Sequence, residues 1–529
     1  MKGKKILALL LAVLLVAALF TACNPDADNG GAGGGPENTG GSDGSGSAGG
    51  SGGAGGEHDE IIEIKYWCWD NGLGGQNTKG PMIEEAINAY VEEQIGVHVN
   101  FNWVASSDYG TQLTLALANN EQIDIADYFA TGGSAFAKMQ ADQSILDITE
   151  LARQYAAETI DMIGEEVLSG VTIDGRLYAI PTYRNLNSNW YIVLRMDLLD
   201  KLGMVDKARN MTTWAEFGEI LQAVKDSDYA GYAMGGGDSK GVISVCGCIF
   251  QGEKLTDSYT YDTLGDTLFS IGTDQQGNVY NLPAMKESQN YYKMVKGWMD
   301  AGLLYPDAGY NATGGREMFA ADTFAFCLAQ SEFGGETSWK GQSNFEVELK
   351  QVAPGYLQTA NVQKFGVFFP ITGKETAAAL RFANLLYTDA KLMNLITWGI
   401  EGETYEITDG TAHYKEGEDA NIAGYHNNSY KIGNMFLTVP WDHPADFNDL
   451  LKADFLNCSK SAYLGLSVDL SAYDTQRATI SAVTTEYIGQ MQGGMYTDAA
   501  YQEYLSKLDA AGINDWVAIY QTAVDDFLR

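Results

Sequence analysis

Open α/β sheets, built more than once along the chain, are the architecture this sequence predicts. Three observations carry the prediction. Strand-period and helix-period apolar patterns alternate from residue 62 onward, and the alternation starts again after an extended segment that ends at Pro181. The chain has 529 residues and 45% hydrophobic content, enough for two or three lobes with separate cores.

The first elements follow in order. Ile62, Ile64 and Tyr66 alternate with Glu63, Lys65 and Trp67, the period of a half-buried strand. A helix comes next: Pro81 suits its first turn, Met82, Ile83, Ala86, Ile87, Tyr90 and Val91 form one stripe, and Gly96 ends it. Val97, Val99, Phe101 and Trp103 then alternate with His98, Asn100 and Asn102. Strand, helix and strand in that order predict a parallel pair with a right-handed crossover. A helix over 108–119 leads into the apolar stretch 123–129.

VTIDGRLYAIP (171–181) reads as a hairpin with an extended segment, and 190–194 as the strand that opens a further lobe. Thr213 and Glu216 form a capping box ahead of Trp214, Phe217, Ile220, Leu221 and Val224. Further helices are predicted over 288–301, 375–387, 475–491, 498–511 and 514–528. Tyr291, Tyr292 and Trp298 have helical spacing and read as core. The glycine runs 235–237 and 334–335 lack a following Lys-Ser/Thr and are read as turns.

The N-terminal region predicts location. Lys2, Lys4 and Lys5 precede an apolar run over 6–20, too short for a comfortable bilayer span and laid out as a secretory leader. Ala22-Cys23 resembles the bacterial lipobox, in which the cysteine takes a diacylglycerol. Residues 24–58 are mostly Gly, Ser, Asp and Asn, a composition that cannot bury enough surface to fold and predicts a tether.

A formal net charge of −36 repels phosphate backbones, so nucleic acid is not an expected partner. Cys68, Cys246, Cys248, Cys327 and Cys458 are an odd number, and the spacing of Cys246 and Cys248 suits neither a mutual bridge nor zinc; buried thiols are expected. There is no HExxH or Walker-type loop and no EF-hand pattern, and neither an enzyme nor a metal or other cofactor is expected.

The order of several phrases resembles the extracellular solute-binding lipoproteins that deliver sugars to ABC importers, in the large Gram-positive form with a C-terminal extension. The phrases are VTIDGRLYAIP, YIVLRMDLLDKLGM with TTWAEFGEILQAVK, ESQNYYKMVKGWMDAGLL, MFAADTFAFCLAQSEFGG, GVFFPITGKETAAALRFANLLYTD, and WGIEGETYEI onward. The resemblance implies a two-lobed periplasmic-binding-protein-like type II fold with a hinge, a ligand cleft and a helical C-terminal extension. It implies a leader over 1–22 and a lipidated Cys23 with its tether over 23–58. It further implies an N-terminal lobe of 59–182 and 315–364, and a C-terminal lobe of 183–314 and 365–529. The implied partners are a solute, most readily an oligosaccharide, and the transmembrane subunits of a permease, for a monomer held at the outer face of the membrane through Cys23. A secreted glycan-active hydrolase and a surface sensor or peptide-binding protein are the competing readings.

Sugars pack their C–H faces on aromatic rings and take hydrogen bonds from planar polar side chains. With loops after strands as the place to look, the candidates are Trp67 or Trp69 with Asp70 and Asn71, then Tyr128 with Phe129. Tyr183, Arg184 and Asn185 follow the first lobe crossing, and Asn189 and Trp190 stand at the next strand's entrance. Glu332 and Phe333 follow a return strand, and Trp398 and Glu401 lie in WGIEG.

Overall fold

The strands of the two main sheets are β1 (Ile62–Asp70), β2 (Val97–Ala105), β3 (Ile125–Phe129), β4 (Ala179–Pro181), β5 (Asn189–Arg195), β6 (Tyr232–Gly237), β7 (Phe324–Ser331), β8 (Val347–Ala353) and β9 (Phe365–Phe368). The helices used below are α1 (Gly80–Ile95), α2 (Ser106–Ala118), α3 (Trp214–Lys225), α4 (Lys286–Asp300), α5 (Thr376–Thr388), α6 (Phe447–Asn457), α7 (Asp474–Gln492), α8 (Asp498–Ala510) and α9 (Ile513–Phe527). They come from a computed structural model that describes residues 60–70, 77–129, 132–237, 248–250, 252–267, 269–343 and 345–529; all belong to one unit, Gly55–Arg529. The leader, Cys23 and the tether lie outside the described residues, as do Asn71 and Cys246.

In the first sheet the order is β2-β1-β3-β9-β4, with β1 parallel to β2 and β3, and β9 antiparallel to β3 and β4. Helix α1 makes the crossover as its pattern predicts. It carries Pro81 in its first turn and ends at Gly96 with φ 64°, a left-handed backbone that glycine adopts without steric cost. Met82 is exposed, so the buried stripe is Ile83, Ile87, Asn88 and Val91. Asn88 is buried because its amide serves β2 like an extra strand, donating to Val99 O at 3.0 Å and accepting from Val99 N at 2.7 Å. Strand β1 alternates only at its start; Tyr66, Trp67, Cys68 and Trp69 are all buried.

The second sheet runs β8-β5-β7-β6, with β5 antiparallel to both neighbours and β7 parallel to β6. The Thr213–Glu216 capping box is formed at the head of α3. Trp214 and Phe217 of that helix meet Trp298 of α4 at ring-centroid distances of 6.3 and 5.9 Å. Arg195 is buried where β5 ends, held by Asp197 at 2.8 Å and by Asp322, with its guanidinium 3.4 Å from the Phe345 ring centre. Helices α7, α8 and α9 share this core through Ile480, Tyr504, Trp516 and Tyr520.

The sheet pairing corrects the expected lobe membership. Strands 324–331 and 347–353 belong to the second sheet, and 365–368 returns to the first between β3 and β4. The extension divides likewise: Tyr425, Ile432 and Phe455 join the first core, while Tyr463, Leu466 and the buried hydrophobic residues of α7, α8 and α9 enter the second. Gly235–Gly237 is likewise strand rather than turn, because the Phe324 ring of β7 lies 2.4 Å from where a Gly235 side chain would begin. Cys68 and Cys327 are buried, as expected, and Cys458 is half-buried.

Three segments cross between the lobes, at 182–188, 354–364 and 458–462. They bind one another. Leu357 N donates to Ser459 O at 2.8 Å, Ser461 N donates to Leu357 O at 2.9 Å, and Gly355 N donates to Asn189 Oδ1 at 2.8 Å. Gly355 fits only because it has no side chain: a Cβ there would stand 1.9 Å from Ser188 O. Backbone packed this closely makes a narrow hinge.

Candidate functional site

The strand ends point the two lobes at each other. In the first sheet the parallel strands finish at Asp70, Ala105 and Phe129, and antiparallel β9 starts at Phe365 opposite Phe129. In the second, β7 finishes at Ser331 opposite Asn189. Ligands of open α/β sheets sit at such carboxyl ends.

On the first lobe this edge is an aromatic floor. Trp69 lies 5.3 Å from Phe129 and 5.8 Å from Phe365, and Phe365 lies 5.3 Å from Tyr430 of the extension, all between ring centroids. Trp69 and Phe365 are buried, whereas Phe129 and Tyr430 keep part of their faces outside. The Arg184 guanidinium is 5.3 Å from the Phe365 ring centre, within cation–π range. Beneath the floor, Asp127 accepts from Tyr66 Oη at 2.6 Å and from Trp69 N at 3.2 Å; its pKa is pushed up to about 7, chiefly by burial. Buried Lys431 donates to Trp69 O at 2.6 Å, and burial lowers its pKa against the pull of Asp127.

Toward the hinge the material changes. A cavity of about 450 Å³ is lined by Asn187, Asn189, Phe333, Gln351, Asp454 and Asn457, among others. Asp454 accepts from Asn185 Nδ2 at 3.0 Å and from Asn187 Nδ2 at 3.3 Å, leaving Asn187 Oδ1 buried without a partner. Arg184 donates one Nη to Asn185 O at 2.9 Å, and its buried Nε also has no partner. Half-buried Glu332 feels both groups of charge: burial raises its pKa, Arg184 and Lys364 lower it, and Asp454 raises it. Unmade hydrogen bonds on buried groups are costly and point to something that completes them.

A larger cavity of about 800 Å³ lies away from the strand ends, among Ala152, Ile160, Leu168, Leu177 and Phe527. Its lining is mainly apolar. The smaller cavity has the convergent polar groups that a solute with many hydroxyls needs.

Of the expected site residues, the structure gathers Arg184, Asn189, Glu332 and Phe333 around the hinge end of the cleft, with Asp70 and Phe129 at the floor's edge. Phe333 is exposed and faces Phe447 of α6 at 6.2 Å, a contact between lobes. Others are core in this conformation. Trp67 is buried under Tyr109, whose hydroxyl donates to Trp67 O at 3.0 Å. Trp69 has Phe365 on one side and the Lys431 ammonium 4.5 Å from its ring centre, so it supports the floor rather than offering a free face. Tyr128 is fully buried and donates to Val362 O at 2.9 Å. Tyr183 is wedged between Phe436 and Phe455, and Trp190 belongs to the second core. Trp398 is buried against Trp441 at 4.8 Å and donates to Val439 O at 3.0 Å, packing the extension; Glu401 is exposed in the turn beside it.

The site also holds residues that sequence reasoning passed over: Asn187, Phe365, Gln351, Tyr430, Lys431 and Asp454. Asn187 stood in a legible signal, the RNLNSN run at the first crossing. The last three belong to the extension, where no local pattern marks them.

Residues 74–393 match the family model for bacterial extracellular solute-binding proteins, and 462–529 match a domain of unknown function. A carbohydrate ABC transporter substrate-binding protein from Streptococcus pneumoniae is 21% identical over 84% of this chain and 87% of its own. Among solved structures, the N-glycan transport solute binding protein of Streptococcus pneumoniae superposes with a TM-score of 0.74 at 18% identity, over 88% of this chain and 99% of that one. An extracellular solute-binding protein from Bifidobacterium longum subsp. infantis gives 0.57 at 16%, over 89% and 99%. With two α/β lobes, a triple crossing and a polar cavity between them, the chain belongs to the bacterial extracellular solute-binding proteins.

Proposed function

We propose that this protein captures an oligosaccharide between its lobes and delivers it to the transmembrane subunits of an ABC importer. One observation carries the reading: partly open rings, Phe129, Tyr430 and Phe333, stand beside planar hydrogen-bonding groups that lack partners, Arg184 Nε and Asn187 Oδ1. Ring faces and directional polar groups together are what a polyol with apolar C–H faces demands. Hinge closure over the bound solute turns occupancy into a shape that a permease can read. Support also comes from relatives: the Streptococcus pneumoniae N-glycan protein is known in complex with Man5GlcNAc, and another neighbour, FusA, in complex with kestose. The residues present need no catalytic step for this role.

The leader and Cys23 complete the proposal as a lipid anchor on the outer face of the membrane, with 24–58 as the spacer and the folded part working as a monomer. Among the described residues no helix is long and apolar enough to cross a membrane. Cys23→Ser is expected to release the protein from washed membranes and to abolish incorporation of a labelled fatty acid.

A thermal-shift panel containing Man5GlcNAc, kestose, other neutral and acidic oligosaccharides and short peptides tests the ligand. A saturable rise with one glycan class and no cleavage of it is the expected result; at one hundred times Kd the stabilisation is about 2.7 kcal/mol. Cleavage of the glycan, or a response to peptides alone, would overturn the reading.

A further inference from the structure

Among the described Lys and Arg residues only Arg195 and Lys431 are buried, and Lys431 is 1% exposed. An ammonium is costly to bury unless its surroundings replace the lost hydration. Here they do: Lys431 Nζ donates to Trp69 O at 2.6 Å and stands 4.5 Å from the Trp69 ring centre and 5.5 Å from that of Trp103. On the other side of the same residue, Trp69 N donates to the buried Asp127 carboxylate at 3.2 Å. Trp69 is therefore gripped through both its peptide groups, by Asp127 from β3 and by Lys431 from the extension.

The grip is aimed. Gly433 O accepts from Tyr183 N at 2.9 Å, and Met435 N donates to Tyr183 O at 3.0 Å, which docks the segment against the first lobe crossing. Gly433 has φ 54°, and a side chain there would begin 2.5 Å from Leu386 O, so the segment approaches the first lobe closer than any larger residue permits. The same two-residue step that buries Lys431 lays Tyr430 beside Phe365 at 5.3 Å.

We propose that Lys431 is a positioning residue for the ligand platform, through which the C-terminal extension sets the orientation of Trp69 and hence of Phe129, Phe365 and Tyr430. This rests on the reading of that floor as the surface that meets the glycan. A purely structural lysine would serve only to neutralise Asp127, and the two roles separate experimentally.

The experiment compares wild type, Lys431→Met, Lys431→Arg and the double variant Asp127→Asn/Lys431→Met. Melting temperature, tryptophan emission and Kd are measured for the glycan that gives the largest shift in the panel above. Lys431→Met is expected to weaken binding tenfold or more. The double variant, with no buried charge left uncompensated, is expected to regain most of the melting temperature while its affinity stays at least tenfold weak and its tryptophan emission stays shifted. Lys431→Arg, which keeps a cation over the indole, is expected to bind better than Lys431→Met. Recovery of affinity together with stability in the double variant overturns the inference and leaves the transport reading intact. A wild-type protein that responds to none of the glycans removes the reading, and the inference with it.

Discussion

On the first lobe, Trp69, Phe129, Phe365 and Tyr430 meet ring to ring at 5.3 to 5.8 Å over a buried Asp127 and Lys431. Toward the hinge, Asn187, Asn189, Gln351 and Asp454 surround a cavity of about 450 Å³ and leave Asn187 Oδ1 without a partner. The floor has made its contacts before any ligand arrives, so its shape is a product of folding. The hinge wall keeps hydrogen-bonding capacity in reserve. Under the proposed function the contrast separates two tasks: a rigid apolar surface would supply contact area at little entropic cost, and unsatisfied polar groups would supply discrimination, because the wrong solute leaves them unpaired.

The comparison breaks first at Phe365. Nearly buried and shared by every ring of the floor, it should cost about 3–5 kcal/mol of stability when changed to Ala. Urea unfolding gives the number; a loss below about 1 kcal/mol would mean the floor is not part of the folded core.

Asp127 gives the next effect, through pH. Its pKa in the folded state is raised to about 7, so the native protein holds a proton that the unfolded chain releases near the ordinary carboxylate range. The stability it contributes is complete below that range and is lost as pH rises through about 7. Against Asp127→Asn, which cannot ionise, wild type should fall behind by up to about 1.4 kcal/mol per pH unit in that window. Parallel stability curves from pH 4 to 8 would contradict the burial argument.

At the hinge wall the expected losses are in binding rather than folding. Arg184→Met should weaken the bound glycan by about 1.5–3 kcal/mol, tenfold or more in Kd by calorimetry, because it removes a charged donor that faces the site. Its melting temperature should move much less than that of Phe365→Ala. The reverse pattern would make Arg184 a structural residue.

The smallest effect belongs to Phe333→Ala. Its ring is exposed and shares one face with Phe447, so about 1 kcal/mol of ligand affinity is expected to go, with little change in the melting curve. Unchanged affinity would limit Phe333 to the contact between lobes.

Much of the secondary structure was legible. Pro81 and Gly96 bounded α1, Thr213 and Glu216 opened α3, and the C-terminal helices fell within a residue or two of their predicted spans. These are local devices, decided by backbone chemistry within one turn of chain. The alternation in β1 was legible only for its first half, since the extension covers the face that an isolated strand–helix unit would leave open.

The site was legible in part, and for the same reason. Position after a strand led to Arg184, Glu332 and Phe333, and position at a strand's entrance to Asn189, because where a strand starts or ends is a local property that the topology turns toward the cleft. Position could not tell Phe129, partly open, from Tyr128, which alternation sends into the core beside Phe368.

By itself, then, the sequence determined the α/β alternation, the helix boundaries, the leader-like N-terminal pattern and a strongly acidic charge. Tertiary structure decided which lobe each strand joined, which aromatic rings stayed open, and that residues 430, 431 and 454, more than 300 residues away from Trp69 in the chain, help build the candidate site. Periodicity reports on neighbours three or four positions apart. It says nothing about partners that only the return of the chain through the hinge brings together.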